Sequence, residues 1–168
     1  MIIKELDSQV LEPVSLFEVR EHLGYSEGDT AEDDILVRHI TAMRQLLETN
    51  LGRYIALRTV LIIPEPGPIR MPSPLRDVVS FRCTDQEGEI LDIEYVRAGS
   101  DMNPTVHWTM GSGCSDPQMV AMVGFDVCPE DIKSAICDLV KAKYERAPLT
   151  PVLDDVMHVL APYRRINL

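Results

Sequence analysis

Aromatic residues are scarce in this sequence of 168 residues, where Phe, Trp and Tyr together make up 5%. A hydrophobic core of one domain's size must therefore be built from Leu, Ile, Val and Met. Long apolar runs are also missing, and no stretch approaches the ~18 apolar residues that a membrane-spanning helix needs. The opening MIIKELDSQV carries charges and lacks the apolar stretch of a signal peptide. We therefore expect one soluble domain, made in the cytoplasm and without membrane contact.

Positive charge is the second scarcity. The chain has 16 Lys and Arg against 27 Asp and Glu, for a formal net charge of −11. Proteins that hold nucleic acid tightly do so by neutralising phosphates with Lys and Arg. The charge balance argues against specific DNA binding. It suits a surface past which DNA slides without adhering.

Signatures of catalysis and of metal or cofactor binding are few. The four cysteines form no Cys-x-x-Cys pair, and no spacing of Cys128 and Cys137 with His107 or Cys114 fits a zinc site. The loop GSGCSDP lacks the Lys-Ser/Thr of a phosphate-binding loop. Cys114 with His107 stays open as a thiol nucleophile and its base, although no orienting carboxylate is evident. We expect no cofactor and no metal.

The first third of the sequence predicts two helices. In PVSLFEVREHLG, Ser15 and Glu18 have the spacing of a capping box, and Gly24 marks a helix end. A second helix, capped by Asp29 or Thr30, is indicated by apolar residues at steps of three and four. It should end near Leu51, before a glycine.

The middle third predicts strands. LRTVLII is strand-like, and five prolines in PEPGPIRMPSP then exclude a helix. DVVSFRCT and ILDIEYVR are typical of two strands joined by a turn at Gly88. TVHWTM and MVAMVGF are predicted to pair across GSGCSDP, which would then be a hairpin turn.

The last third is predicted to be helical again. A helix with a broad apolar face is indicated by VCPEDIKSAICDLVKAKYERAP. A short helix, capped by Thr150, should follow it and stop at Pro162. The fold class is therefore α+β, with about four helices from both chain ends and an antiparallel β insertion that projects between them. We expect one domain over 1–168, helical in 1–55, β-rich in 56–126, and helical with a tail in 127–168.

Four segments, taken in order, resemble the head–tail connector, or adaptor and head-completion, proteins of tailed bacteriophages and gene transfer agents. PVSLFEVREHLG is similar to the family's capped first helix, and DDILVRHITAMRQLLETNLGRYI to its second helix, which runs into a Gly-Arg. VGFDVCPEDIKSAICDLVKAKYE resembles its long later helix, and VLAPYRR its C-terminus. Together they cover somewhat under half of the chain.

The resemblance implies a structural protein with no catalytic residues. Such connectors form a homo-oligomeric ring of about a dozen copies beneath the portal, in the neck of the virion. The ring extends the DNA channel and offers a docking face for stopper or tail-completion proteins. The expected partners are therefore the portal protein, a stopper or tail-completion protein, and further copies of the chain. The expected location is the virion neck, after assembly in the host bacterial cytoplasm.

The C-terminal segment is the candidate site. In some connectors it reaches into the portal, and here it contains Pro162, Tyr163, Arg164 and Arg165. Tyr and Arg often dominate the binding energy of interfaces, so these residues are predicted to contact the portal or a neighbouring subunit. The plainer interpretation is that the two arginines complement the C-terminal end of a helix.

Two other functions stay open. The chain could be another neck or tail component, such as a stopper or completion protein. It could also be a small enzyme that uses Cys114 and His107. A packaging regulator that binds DNA is disfavoured by the net charge.

Overall fold

Four α-helices and eight β-strands make up the fold in the computed structural model, which describes residues 1–7, 10–25 and 31–165. The predicted α+β class is confirmed. The chain divides into two units. The strand unit consists of Met1–Leu11 and Ala56–Asp126, and the helical unit of Glu12–Ile55 and Val127–Leu168. Each unit is thus assembled from two separate stretches of chain.

The strand unit contains two antiparallel sheets. Its strands are β1 (Ile2–Glu5), β2 (Arg58–Ile63), β3 (Ile69–Arg70), β4 (Leu75–Thr84), β5 (Ile90–Asp92), β6 (Tyr95–Ala98), β7 (Thr105–Trp108) and β8 (Ser115–Val123). One sheet has the order β1-β2-β8-β4-β5, and the other has the order β3-β7-β6. Strand β1 is not predicted above, because its four residues show no alternation of apolar and polar side chains.

Alternating residues of the long strands build the core of this unit. In β2, Val60 and Ile62 are fully buried, while their neighbours Leu61 and Ile63 are not. The ring of Phe81 on β4 contacts Trp108 of the other sheet at a centroid distance of 5.1 Å. Because β4 and β7 belong to different sheets, this edge-to-face contact joins the two sheets.

The predicted hairpin at Gly88 is confirmed by the antiparallel pairing of β4 with β5. A second predicted pairing is wrong, and so is the predicted length of one strand. TVHWTM and MVAMVGF do not form a hairpin, because β7 pairs with β3 and β6, whereas β8 pairs with β2 and β4. ILDIEYVR is not one strand either. It breaks at Ile93 and Glu94, so that β5 pairs with β4 and β6 with β7. The backbone N–H of Ile93 instead donates to the oxygen of Phe81 at 2.8 Å.

The helical unit contains α1 (Leu16–Leu23), α2 (Asp33–Leu51), α3 (Glu130–Tyr144) and α4 (Leu149–Val159). Helix α3 packs against each of the other three. Its buried face and that of α2 supply most of the unit's core. Those residues are Leu36, Ile40, Met43, Leu47 and Leu51 on α2, and Ile132, Ala135, Ile136, Leu139 and Val140 on α3.

The observed helix ends agree with the predicted caps at α1 but not at α4. The capping box of Ser15 and Glu18 is confirmed, and Gly24 ends α1 in the left-handed conformation at φ 77°. The predicted cap at Asp29 or Thr30 falls outside the described residues. The predicted cap at Thr150 is wrong, since α4 begins one residue earlier, directly after Pro148.

Candidate functional site

The C-terminal segment lies on the end of helix α2. Gly52 follows the helix in the left-handed conformation, at φ 66°, as predicted for a C-terminal stop. The last carbonyls of a helix lack partners within it. Here the backbone N–H of Arg165 donates to the oxygen of Leu51 at 2.8 Å. A Cβ on Gly52 would meet the Cβ of Arg165 at 3.4 Å, so the tail passes close over this turn.

Arg53 holds the tail by its main chain. Its side chain is buried, with 6% of its surface exposed. Its Nε donates to the backbone oxygen of Tyr163 at 2.5 Å, and its Nη2 donates to that of Arg164 at 3.5 Å. A guanidinium presents several donors in a fixed planar fork, which suits two successive carbonyls. The path of the tail is therefore set by backbone contacts within the chain.

The side chains of the tail differ in their exposure. Arg164 is exposed, and Tyr163 and Arg165 are half-buried. The Arg164 guanidinium makes no hydrogen bond or ion pair with any residue in 1–7, 10–25 or 31–165. Pro162 is exposed and lies in a one-turn 3-10 helix, Ala161–Tyr163. The prediction that Pro162 stops the preceding helix is wrong, because α4 already ends at Val159.

A buried ion-pair network supports the same end of α2. Arg44, which is 3% exposed, donates to Glu12 at 2.7 Å and to Glu48 at 2.8 Å. Burial lowers the pKa of Arg44, but the bonds to the two carboxylates outweigh it and raise that pKa overall. The other oxygen of Glu48 accepts from the backbone N–H of Ile55 at 2.8 Å. The network thus fixes the turn that carries Arg53.

Sequence reasoning located the tail but not the residues that hold it. Arg44 follows Ile40 by four residues on the apolar side of α2, and a charged residue at that position was a usable signal of a buried ion pair. Arg53 belongs to the Gly-Arg that the connector resemblance includes. Its contacts are with backbone oxygens 110 and 111 residues later, and no sequence spacing indicates these.

The alternative pair, Cys114 and His107, is not joined by a hydrogen bond in the described part of the chain. Cys114 lies close to Cys83 instead. His107 lies on β7 opposite Val96 of β6, and it lines an open cleft of about 740 Å³ with Tyr95 and Trp108. The arrangement of nucleophile and base that the enzyme hypothesis needs is therefore not formed here.

Among residues 1–7, 10–25 and 31–165, no group of three His, Cys, Asp or Glu side chains is placed to hold a metal ion. No helix among them is both long and apolar enough to cross a membrane.

Comparison with known proteins gives a likeness of fold. No protein-family model matches the sequence, and no curated protein matches it. Solved structures do match. A chain from the neck of an empty gene transfer agent particle, computed with C6 symmetry, superposes with a TM-score of 0.77 at 18% identity. The match covers 100% of this chain and 97% of that one.

Two further structures agree. A chain from the virion of a native gene transfer agent particle matches with a TM-score of 0.76 at 19% identity, covering 100% of this chain and 97% of that one. A chain from the neck of a native particle, computed with C12 symmetry, matches with a TM-score of 0.69 at 18% identity and the same coverage. This chain therefore has, over its whole length, the fold of chains found in gene transfer agent particles and their necks.

Proposed function

We propose that this protein is a structural component of the neck of a tailed phage or phage-like particle. The observation that carries the proposal is the fold likeness to neck chains, which extends over the full length of this chain and nearly all of theirs. A shared local motif would support only a shared element, whereas full-length agreement supports a shared role, by analogy of fold.

Within the neck, we assign the protein to the adaptor position, as a ring of copies beneath the portal that extends the DNA channel. The related neck chains come from assemblies computed with C6 and C12 symmetry. In a closed ring each subunit offers two different faces to its neighbours. The net charge of −11 per copy supports a channel wall that repels phosphates and lets DNA pass.

The tail is the proposed contact with the portal or with the next subunit. Arg164 is exposed and unpaired among the described residues, beside the half-buried ring of Tyr163. The Arg53 and Leu51 contacts hold the tail's main chain before any partner arrives. A preordered segment loses less conformational entropy on binding, so these side chains are well suited to bind a partner.

The first experiment is antibody labelling and proteomics of purified, DNA-filled particles from the source strain. Label between capsid and tail is expected. Absence from particles, with the protein found only in the cell extract, would overturn the neck assignment. Mixing the purified protein with portal rings distinguishes the positions, because an adaptor binds the portal directly. A stopper or completion protein would bind only to a ring that is already in place.

The tail contact is tested by Arg164→Ala in the same portal-binding assay. This change removes an exposed guanidinium and leaves the backbone oxygen that Arg53 binds. We expect weaker binding, by about tenfold or more if Arg164 contributes as interface arginines often do. Arg82→Ala, at an exposed position on β4 in the strand unit, is the matched control. Equal binding by wild type and Arg164→Ala would show that the tail is not the docking element.

A further inference from the structure

Two of the four cysteines lie side by side where strands β4 and β8 meet. Thr84 is paired in register with Ser115, and Cys83 and Cys114 directly precede them in the two strands' sequences. The Oγ of Ser115 donates to the backbone oxygen of Thr84 at 3.3 Å, which holds this end of the ladder together. Diagonal neighbours on one face of an antiparallel pair have Cα atoms about 7–8 Å apart, and a register shift between Arg82 and Thr84 falls at this point of the ladder.

The two cysteine side chains lie close to each other. Interaction with Cys114, followed by burial, raises the pKa of Cys83 to about 11. Cys83 is buried with 3% of its surface exposed, whereas Cys114 is only half-buried. Cys83 therefore keeps its proton, while Cys114 is the sulfur that a reagent in solution can reach.

Cys114 lies at the end of a tight turn that contains two glycines. The backbone N–H of Cys114 closes a turn on the oxygen of Gly111 at 3.3 Å, and a Cβ on Gly111 would lie 3.7 Å from the Cys114 sulfur. Gly113 has φ 93°, a conformation that glycine adopts without strain. A disulfide needs sulfur atoms about 2.05 Å apart, so a small shift of this loop must accompany bond formation.

The other two cysteines have different surroundings. Burial is the first cause that raises the pKa of Cys128 to about 12 and that of Cys137 to about 11. No interaction with a second thiol contributes to the raised pKa of either residue. Both residues belong to the helical unit, and they provide an internal control of the same residue type.

We propose that Cys83 and Cys114 form a reversible intrachain disulfide. The oxidant is a small disulfide such as glutathione disulfide. The Cys114 thiolate attacks one of its sulfur atoms, forming a mixed disulfide and releasing one glutathione thiolate. Cys83 then gives up its proton and attacks the Cys114 sulfur, which forms the protein disulfide and releases the second thiolate. One disulfide is consumed for each one formed.

The cross-link would join strand β4 to the loop before β8. The segment between the two cysteines contains β5, β6 and β7, and with them the whole second sheet except β3. Closing that segment into a covalent loop restricts the unfolded chain and stabilises the strand unit against unfolding. The inference is independent of the neck assignment, since it concerns only this chain.

The test uses the purified full-length protein, reduced and then incubated with glutathione disulfide at mildly alkaline pH. The intact mass should fall by two hydrogen atoms without a retained glutathione, and a peptide map without reductant should contain Cys83 linked to Cys114. The midpoint of urea unfolding should rise after oxidation and return to its original value after reduction.

Three Cys→Ser variants test which thiol carries out each step of disulfide formation. Cys83→Ser should retain glutathione on Cys114, because the second attack is lost. Cys114→Ser should give neither the adduct nor the cross-link, and Cys128→Ser should behave as the wild type does. A wild type that keeps the mixed disulfide at Cys114, or that links other cysteines or two chains, would overturn the proposal. The peptide map of the wild type decides the matter even if a variant folds poorly.

Discussion

The buried side chain of Arg53 donates a hydrogen bond from Nε to the backbone oxygen of Tyr163, 110 residues further along the chain. This bond ties the turn after α2 to the tail after α4. Because the acceptor is a main-chain oxygen, this bond does not depend on which side chain residue 163 carries.

Replacing Arg53 should loosen the tail and destabilise the helical unit. In Arg53→Met the apolar volume is largely kept, but the backbone oxygens of Tyr163 and Arg164 lose their charged donor. Hydrogen bonds from charged groups contribute about 2 kcal/mol, so we expect a loss of about that size in the free energy of unfolding. Urea unfolding followed by circular dichroism measures it.

The matched control for this change is Arg38→Met, at an exposed arginine on α2. Its Nε donates to the oxygen of Asp34 in solvent, so the expected loss is about 0.5 kcal/mol or less. Equal losses in the two variants would mean that the Arg53 contacts add nothing to stability.

Gly52→Ala and Gly24→Ala should destabilise the helical unit by similar amounts. Both glycines end helices in the left-handed conformation, where an L side chain costs about 1 kcal/mol. A Cβ at Gly24 meets nothing within 4 Å, and one at Gly52 meets the Arg165 side chain at 3.4 Å, an ordinary van der Waals distance. The backbone conformation should therefore set both losses in thermal unfolding. A markedly larger loss at Gly52 than at Gly24 would contradict this explanation.

Arg44→Met should be the most destabilising change at the site. It leaves the carboxylates of Glu12 and Glu48 without their buried partner, and breaking such a pair costs about 3–5 kcal/mol. Glu12→Gln alone should cost less, because Glu12 is partly exposed. In the double variant the two losses should not add, since both remove one interaction. If the losses in unfolding free energy of the two single variants, measured with urea, add up to the loss of the double variant, Arg44 and Glu12 act separately.

The capping box at α1 should give stability a dependence on acidic pH. The bonds from the Ser15 backbone and hydroxyl, which are the first causes, hold the pKa of Glu18 below its usual 4.5. A carboxyl with a lowered pKa in the folded chain adds stability above its unfolded pKa. That contribution is lost as the pH falls through the folded pKa.

We therefore expect wild type to exceed Glu18→Gln in unfolding free energy at pH 7, and the gap to close well below pH 4.5. The Glu18 side chain is 41% exposed and screened by solvent, so the gap should stay below about 1 kcal/mol. Gln can still accept the backbone bond, which isolates the effect of charge. A gap that is constant between pH 7 and pH 3 would contradict the assignment.

Local signals predicted the helices well and the sheet pairing poorly. The capping box at Ser15 and the glycine after Leu51 act through neighbouring residues, so their spacing is visible in the sequence. Strand partners are chosen by tertiary packing. The partners of β8 are β4 and β2, the latter more than fifty residues earlier, although β7 is nearer in sequence. The hairpin expected between β7 and β8 rested on nearness alone.

Only the residue types of the candidate site could be predicted from the sequence, and not the contacts that position them. Tyr163 and Arg164 stand out by residue type, and that prediction remains a proposal about a partner. The contacts that position them run from Arg53 and Leu51 to backbone atoms. Main-chain atoms are the same for every residue, so no choice of amino acid in the tail reveals them.

The strand unit and the helical unit each draw on two stretches of chain, and the polypeptide passes between them three times. Neither unit can be cut out or exchanged by a single genetic crossover on each side. During synthesis on the ribosome, β1 must wait until β2 has emerged more than fifty residues later before it finds its pairing partner. The α1 and α2 segment is translated in that interval. The two units are therefore expected to have been inherited together, and the helical unit is expected to complete its folding only after α4 has emerged.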